Sequence, residues 1–146
     1  MFTERYSYPD RAVPLALTDR PFFLTTKISM PAISEKGGRL EAKIYKYWNL
    51  AEAELFKMSQ NPEGAKPFQA LLHISSAGGT ISLKDVSDSF EDNFCYPDNV
   101  RKARVAINVG TQVSDKWEGN MRWKFTEVEL AQLLVAVVAR RKFKED

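Results

Sequence analysis

The residues of this chain whose types and spacing could do chemistry are Lys43, Tyr45, Arg104, Arg122 and Lys124. Each sits where polar and apolar side chains alternate, and a period of two sends alternate residues to opposite faces of a strand. Around Arg122 and Lys124 the apolar set is Met121, Trp123 and Phe125. Around Arg104 it is Ala103, Val105, Ile107 and Val109, with Lys102 and Asn108 on the cationic side. Around Lys43 and Tyr45 it is Leu40, Ala42 and Ile44, with Arg39 and Tyr47 facing outward. If the apolar sets share one side, the other interleaves cations with rings. Cations there would neutralise phosphates, and each exposed ring could stack an unpaired base for ~1–3 kcal/mol. The alternative is a solvated face whose tyrosines only cover apolar stems.

Other chemistry is poorly supplied. The lone histidine, His73, lies in Leu71-Leu72-His73-Ile74-Ser75 with no carboxylate or cysteine nearby, so it reads as a packed or hydrogen-bonded side chain. The lone cysteine, Cys95, between Phe94 and Tyr96, reads as a small buried hydrophobe. With one of each, an intrachain disulfide and a cysteine-based zinc site are excluded. Asp85, Asp88, Glu91 and Asp92 lack the spacing and central glycine of a calcium loop. Gly37-Gly38 and Gly78-Gly79 read as hairpin glycines and belong to no phosphate-loop pattern. No acid–base pairing is evident, so neither catalysis nor a cofactor is expected.

Composition sets the frame. A chain of 146 residues, 44% hydrophobic and 27% charged, has the balance of one folded domain rather than of a disordered segment. The longest uncharged apolar run is Leu133 to Ala139, too short to cross a bilayer. The start, MFTERYSYPDR, carries charge and proline where a signal peptide needs an apolar stretch, so a cytoplasmic location (host cytoplasm for a viral protein) is expected. The net charge of +2 is segregated: residues 1–50 carry +3, 51–100 carry −5 and 101–146 carry +4. Such a chain can present a basic face and an acidic face.

The elements that would position the candidates run as follows. Residues 1–21, with Pro9, Pro14 and Pro21, read as an irregular arm, and residues 22–146 as one sheet-plus-helix domain. Phe22–Ile33 and Arg39–Trp48 read as a hairpin about Lys36-Gly37-Gly38. Asn49 with Glu52 resembles a capping box opening a helix from Leu50 to Ser59, which Asn61-Pro62-Glu63-Gly64 stops. Phe68–Ser76 and Thr80–Lys84 read as a second hairpin, and Asp85–Asp98 as an acidic loop holding one helical turn. Lys102–Val109 and Asn120–Phe125 read as strands around a polar connection, Gly110–Gly119. Thr126 with Glu129 caps a final helix whose stripe is Leu130, Leu133, Leu134, Val137 and Val138. The expectation is an α+β fold, a curved and mainly antiparallel sheet packed against a C-terminal amphipathic helix.

The run from Met121 to Leu134, MRWKFTEVELAQLL, resembles the strand-to-helix junction of the Whirly-like single-stranded DNA-binding proteins, the group of the transcriptional positive coactivator. The resemblance covers about the last 45 residues, and Lys27–Trp48 by pattern alone. It implies a curved sheet that binds a single strand and a helix that supports it and mediates dimerisation, with Lys43, Tyr45, Arg104, Arg122 and Lys124 as contacts. The leading expectation is therefore a sequence-tolerant, homodimeric single-stranded DNA-binding protein of replication, recombination or transcription, with RNA as a further possible ligand. Val128, Val135 and Ala139 lie off the stripe of the last helix, which leaves a second apolar face for the partner copy. The alternative is a protein–protein adaptor or regulator acting through the acidic segment 85–98.

Overall fold

The computed structural model describes residues 28–31, 38–90, 95–113 and 121–142. The arm 1–21, most of the strand expected over 22–33, the Lys36-Gly37 turn, residues 91–94 of the acidic segment and most of the connection 110–119 lie outside the described residues.

Among the described residues, six helices and three short strands follow in the order α1 (Gly38–Lys46), α2 (Trp48–Gln60), α3 (Pro62–Ser76), β1 (Ile81–Ser82), α4 (Leu83–Asp88), α5 (Pro97–Ile107), β2 (Thr111–Gln112), β3 (Arg122–Lys124) and α6 (Glu127–Lys142). About 70% of the described residues are helical, which overturns the expected curved sheet. Three of the expected strands are helices. Arg39–Trp48 falls on α1 and the start of α2, Phe68–Ser76 on α3, and Lys102–Val109 largely on α5. Burial shows why. Ile44, Trp48, Ala51 and Leu55 are buried at intervals of three and four, as are Phe68, Leu71, Leu72 and Ser75, and Val100, Ala103 and Ile107. That is one face of a helix, and the alternation of two was incidental.

The helix over 50–59 and its stop at Asn61 are present, but the cap differs. Tyr47 precedes α2 without a side-chain cap bond, and Glu52 is buried and accepts from the Ile28 amide at 2.7 Å. Asn61-Pro62 also begins α3, because the Asn61 carboxamide accepts from the Glu63 amide and Pro62 takes a first-turn position that needs no donor. The segment 85–98 opens in the last four residues of α4, about one helical turn, and ends on the first two residues of α5, with 89, 90, 95 and 96 outside any helix. Ser82 and Asp85 form the capping box of α4, each side chain accepting from the other's amide.

The core is built around α6. Every residue from Leu130 to Ala139 is buried, and the helix packs on α1, α2, α3 and α5. A helix apolar on all sides belongs inside a bundle. The Thr126–Glu129 capping box forms as expected. Residues 28–31 are strapped to this bundle by Trp48 Nε1 to the Ile28 carbonyl at 3.0 Å, Gln132 Nε2 to the Ser29 carbonyl at 3.1 Å and the Tyr45 hydroxyl to the Pro31 carbonyl at 2.8 Å.

The sheet is antiparallel in the order β1-β3-β2, with Ile81 opposite Trp123 and Thr111 opposite Lys124. Among the described residues, no helix is long and apolar enough to cross a membrane.

Candidate functional site

The five residues singled out in the sequence do not share a face. Lys43 and Tyr45 lie on α1, Arg104 on α5, and Arg122 and Lys124 on β3. Tyr45 is half-buried, its hydroxyl bonded to Pro31 and its ring set edge-on to Trp48 with centroids 6.4 Å apart. Arg104 turns inward. Its guanidinium carbon lies 3.9 Å from the centroid of the Trp123 ring, and Nη1 donates to the Val109 carbonyl at 3.0 Å. Burial holds its pKa below the usual arginine value. Arg122 donates through Nε to Thr80 Oγ1 at 3.1 Å and through Nη2 to the Thr80 carbonyl at 2.7 Å, with Nη1 3.6 Å from Asp85. Lys124 is exposed. The expected alternation of β3 holds: Trp123 and Phe125 are buried, while Arg122 is half-buried and Lys124 open.

Another set of residues faces solvent together. On α5 the buried side is Val100, Ala103 and Ile107, packed on α4 and α6. The outward side is Asp98, Arg101, Lys102, Val105 and Asn108, at the i, i+3, i+4, i+7 spacing of one helical face. Asp98 Oδ1 accepts from Arg101 Nε at 3.0 Å and from Nη2 at 2.8 Å, and Oδ2 lies 3.3 Å from Lys102 Nζ. These contacts, Arg101 first and Lys102 second, hold the Asp98 carboxyl below the usual carboxylate range.

What positions this face is local. Pro97 starts α5 where no amide donor is needed, and Asn108 ends it in the left-handed conformation at φ 56°. Gly110 follows at φ +90°, its amide donating to Glu129 Oε2 at 3.3 Å, so the cap of α6 also pins the start of the hairpin. Beside α5 the hairpin edge exposes Thr111, Gln112 and Val113. Reading a strand over 102–109 hid Asp98 and Arg101, although their spacing after Pro97 carried the helical signal.

The acidic segment is largely neutralised where it is described. Asp85 faces Arg122, Asp88 pairs with Lys84 at 2.9 Å, and Asp98 holds Arg101 and Lys102. His73 is exposed on α3 instead of packed in a strand, and Cys95 is buried. A cavity of about 310 Å³ opens between Met58, Gly64, Phe68 and Phe90, with Lys57 at its lining. Among the described residues no three histidine, cysteine or carboxylate side chains are grouped to hold a metal ion. Comparison with family models, with curated proteins and with solved structures finds no match for this chain.

Proposed function

We propose that this chain is a DNA-binding protein that places α5 in the major groove of a duplex. The observation that carries this reading is the outward face of α5, the second helix of the α4–α5 pair, on which Arg101 and Lys102 are exposed around a single carboxylate, Asp98, beside a β-hairpin. The order α3, β1, α4, α5, β2, β3, with β3 between the other two strands, is that of a winged helix-turn-helix. In such a pair the second helix reads base edges, and flanking elements meet the backbone. The connection between α4 and α5, residues 89–96, is longer than the usual three or four residues. Form alone does not make function. The chemistry that supports it is Arg101 and Lys102 on the helix face and Lys124 on the neighbouring hairpin.

A single-strand reading needs a broad open platform, and among the described residues the three strands are two or three residues long with Trp123 turned inward. Of the acids on which the adaptor reading rests, Asp85, Asp88 and Asp98 each face a cation, while Glu91 and Asp92 lie outside the described residues. The test is anisotropy with duplex and single-stranded oligonucleotides of one sequence pool across a salt series. Tighter duplex binding whose logarithm falls linearly with log salt supports the proposal. Preference for the single strand, or equally feeble binding to both, overturns it.

A further inference from the structure

Asp98 grips one edge of the Arg101 guanidinium and leaves the other presented. Nε and Nη2 both donate to Oδ1, at 3.0 and 2.8 Å. A guanidinium offers two parallel donors along a second edge, Nη1 with Nη2, and this edge points away from the carboxylate that holds the first. The pair is open to solvent, with side-chain exposures of 55% for Arg101 and 59% for Asp98. A second partner of the same carboxylate, Lys102, keeps Asp98 in place from the next position along the helix.

Two acceptors in one plane complete such a fork. Guanine O6 and N7, on the major-groove edge, are the nucleobase pair that fits it, while a phosphate can also take a fork. Two observations favour the base. Asp98 brings a negative charge beside the fork, which repels a phosphate and costs far less against a base edge. Both residues also lie in the first half of α5, from which a helix lodged in the groove contacts bases. An arginine already held in orientation loses less freedom on binding, and orientation matters for a base edge more than for charge neutralisation.

We propose that Arg101, oriented by Asp98, reads one guanine in the major groove, so that this chain prefers guanine at one fixed position of its duplex site. This rests on the duplex-binding reading above. The experiment is selection of the full chain on a randomised duplex pool, repeated with Arg101→Ala, Arg101→Lys and Asp98→Asn, followed by affinities for the selected site and for the same site lacking that guanine.

The wild type should enrich guanine at one position, and Arg101→Ala should lose roughly 5- to 150-fold on the guanine site with little change on the altered one. Arg101→Lys, which keeps the charge but not the fork, should lose the same preference, and Asp98→Asn should weaken it. Uniform loss across all sequences would mark Arg101 as a phosphate contact and overturn the inference. A wild type that binds duplexes without base preference overturns the inference and leaves the reading standing, and one that binds no duplex overturns both.

Discussion

The Arg104 guanidinium carbon lies over the Trp123 ring, 3.9 Å from its centre, and so joins α5 to the middle strand of the sheet. It donates to the Val109 carbonyl as well, which closes the turn leaving α5. This arginine is mortar between α5 and the hairpin. Arg104→Ala should lower stability by about 1–3 kcal/mol in urea unfolding, from the lost cation–π contact and the carbonyl left without its donor. Arg104→Lys should recover only part, since an ammonium cannot stack as a plane. Trp123→Ala should cost more, about 3–5 kcal/mol.

Arg122 and Lys124 point the same way from β3 but should answer to different measurements. Arg122 is bound to Thr80 through two nitrogens, so Arg122→Ala should destabilise by about 1–2 kcal/mol. Lys124 is exposed, and Lys124→Ala should leave the unfolding midpoint unchanged while flattening the salt slope of duplex binding by about one unit. The reverse pattern, with Lys124→Ala unfolding and Arg122→Ala only losing DNA, would show that the two roles are exchanged.

The physics that made part of this fold legible is local. Thr126 with Glu129, the strand over 122–124 and the helix ending at Asn61 are written in caps and turn residues within a few positions of one another. The errors came where a short apolar run fits two periods. In Lys102–Val109, Ala103, Ile107 and Val109 are buried and satisfy an alternation, but Val105 between them is only half-buried, and Val100 before them completes a helical face. Pro97 and Asp98 fit the close of a loop, but proline followed by an acid equally opens a helix, as it does here in α5. Of the candidate contacts, Lys124 is exposed as a phosphate contact must be. Arg104 and Arg122 are claimed by Trp123 and Thr80, and those pairings are 19 and 42 residues distant in the chain. No periodicity encodes a partner so far away.

Gly110 is held where a side chain cannot go. Its φ is +90°, and a Cβ there would run into the Phe125 ring, a buried side chain. Gly110→Ala should therefore destabilise by about 1–3 kcal/mol from backbone strain, with crowding of Phe125 added to it. Because the same residue donates to Glu129, the loss should reach the hairpin first. Faster amide hydrogen exchange at Thr111 and Val113 than in α6 would report it, and uniform acceleration throughout the chain would count against this order.

Asp98 should titrate low. Arg101 foremost, then Lys102, favour its ionised form, so its midpoint in the folded protein lies below that of an ordinary aspartate. The pairing is therefore complete at neutral pH and is lost as pH falls through that lowered midpoint. Carboxyl-carbon NMR should record the low midpoint in the wild type and an upward move in Arg101→Ala. A midpoint unaffected by Arg101→Ala would remove the ion pair that orients the arginine.

The last test concerns the second apolar face of α6. Of Val128, Val135 and Ala139, which lie off the main stripe and are expected to meet another copy, Val135 and Ala139 are fully buried, with α1, α2, α3 and α5 of the same chain packed on the helix, while Val128 in its first turn is exposed. The burial of Val135 and Ala139 is already spent within one molecule. Leu134→Ala should thus cost about 2–5 kcal/mol and Val135→Ala about 1.5–3 kcal/mol, although the two side chains leave the helix about 100° apart. Sedimentation should give each folded variant the same mass as the wild type, whatever that mass is, because both side chains are buried within one copy. If Val135→Ala left the unfolding midpoint untouched but lowered the sedimenting mass, that side of α6 would be an interface after all, and the packing described for the bundle would be wrong at its centre.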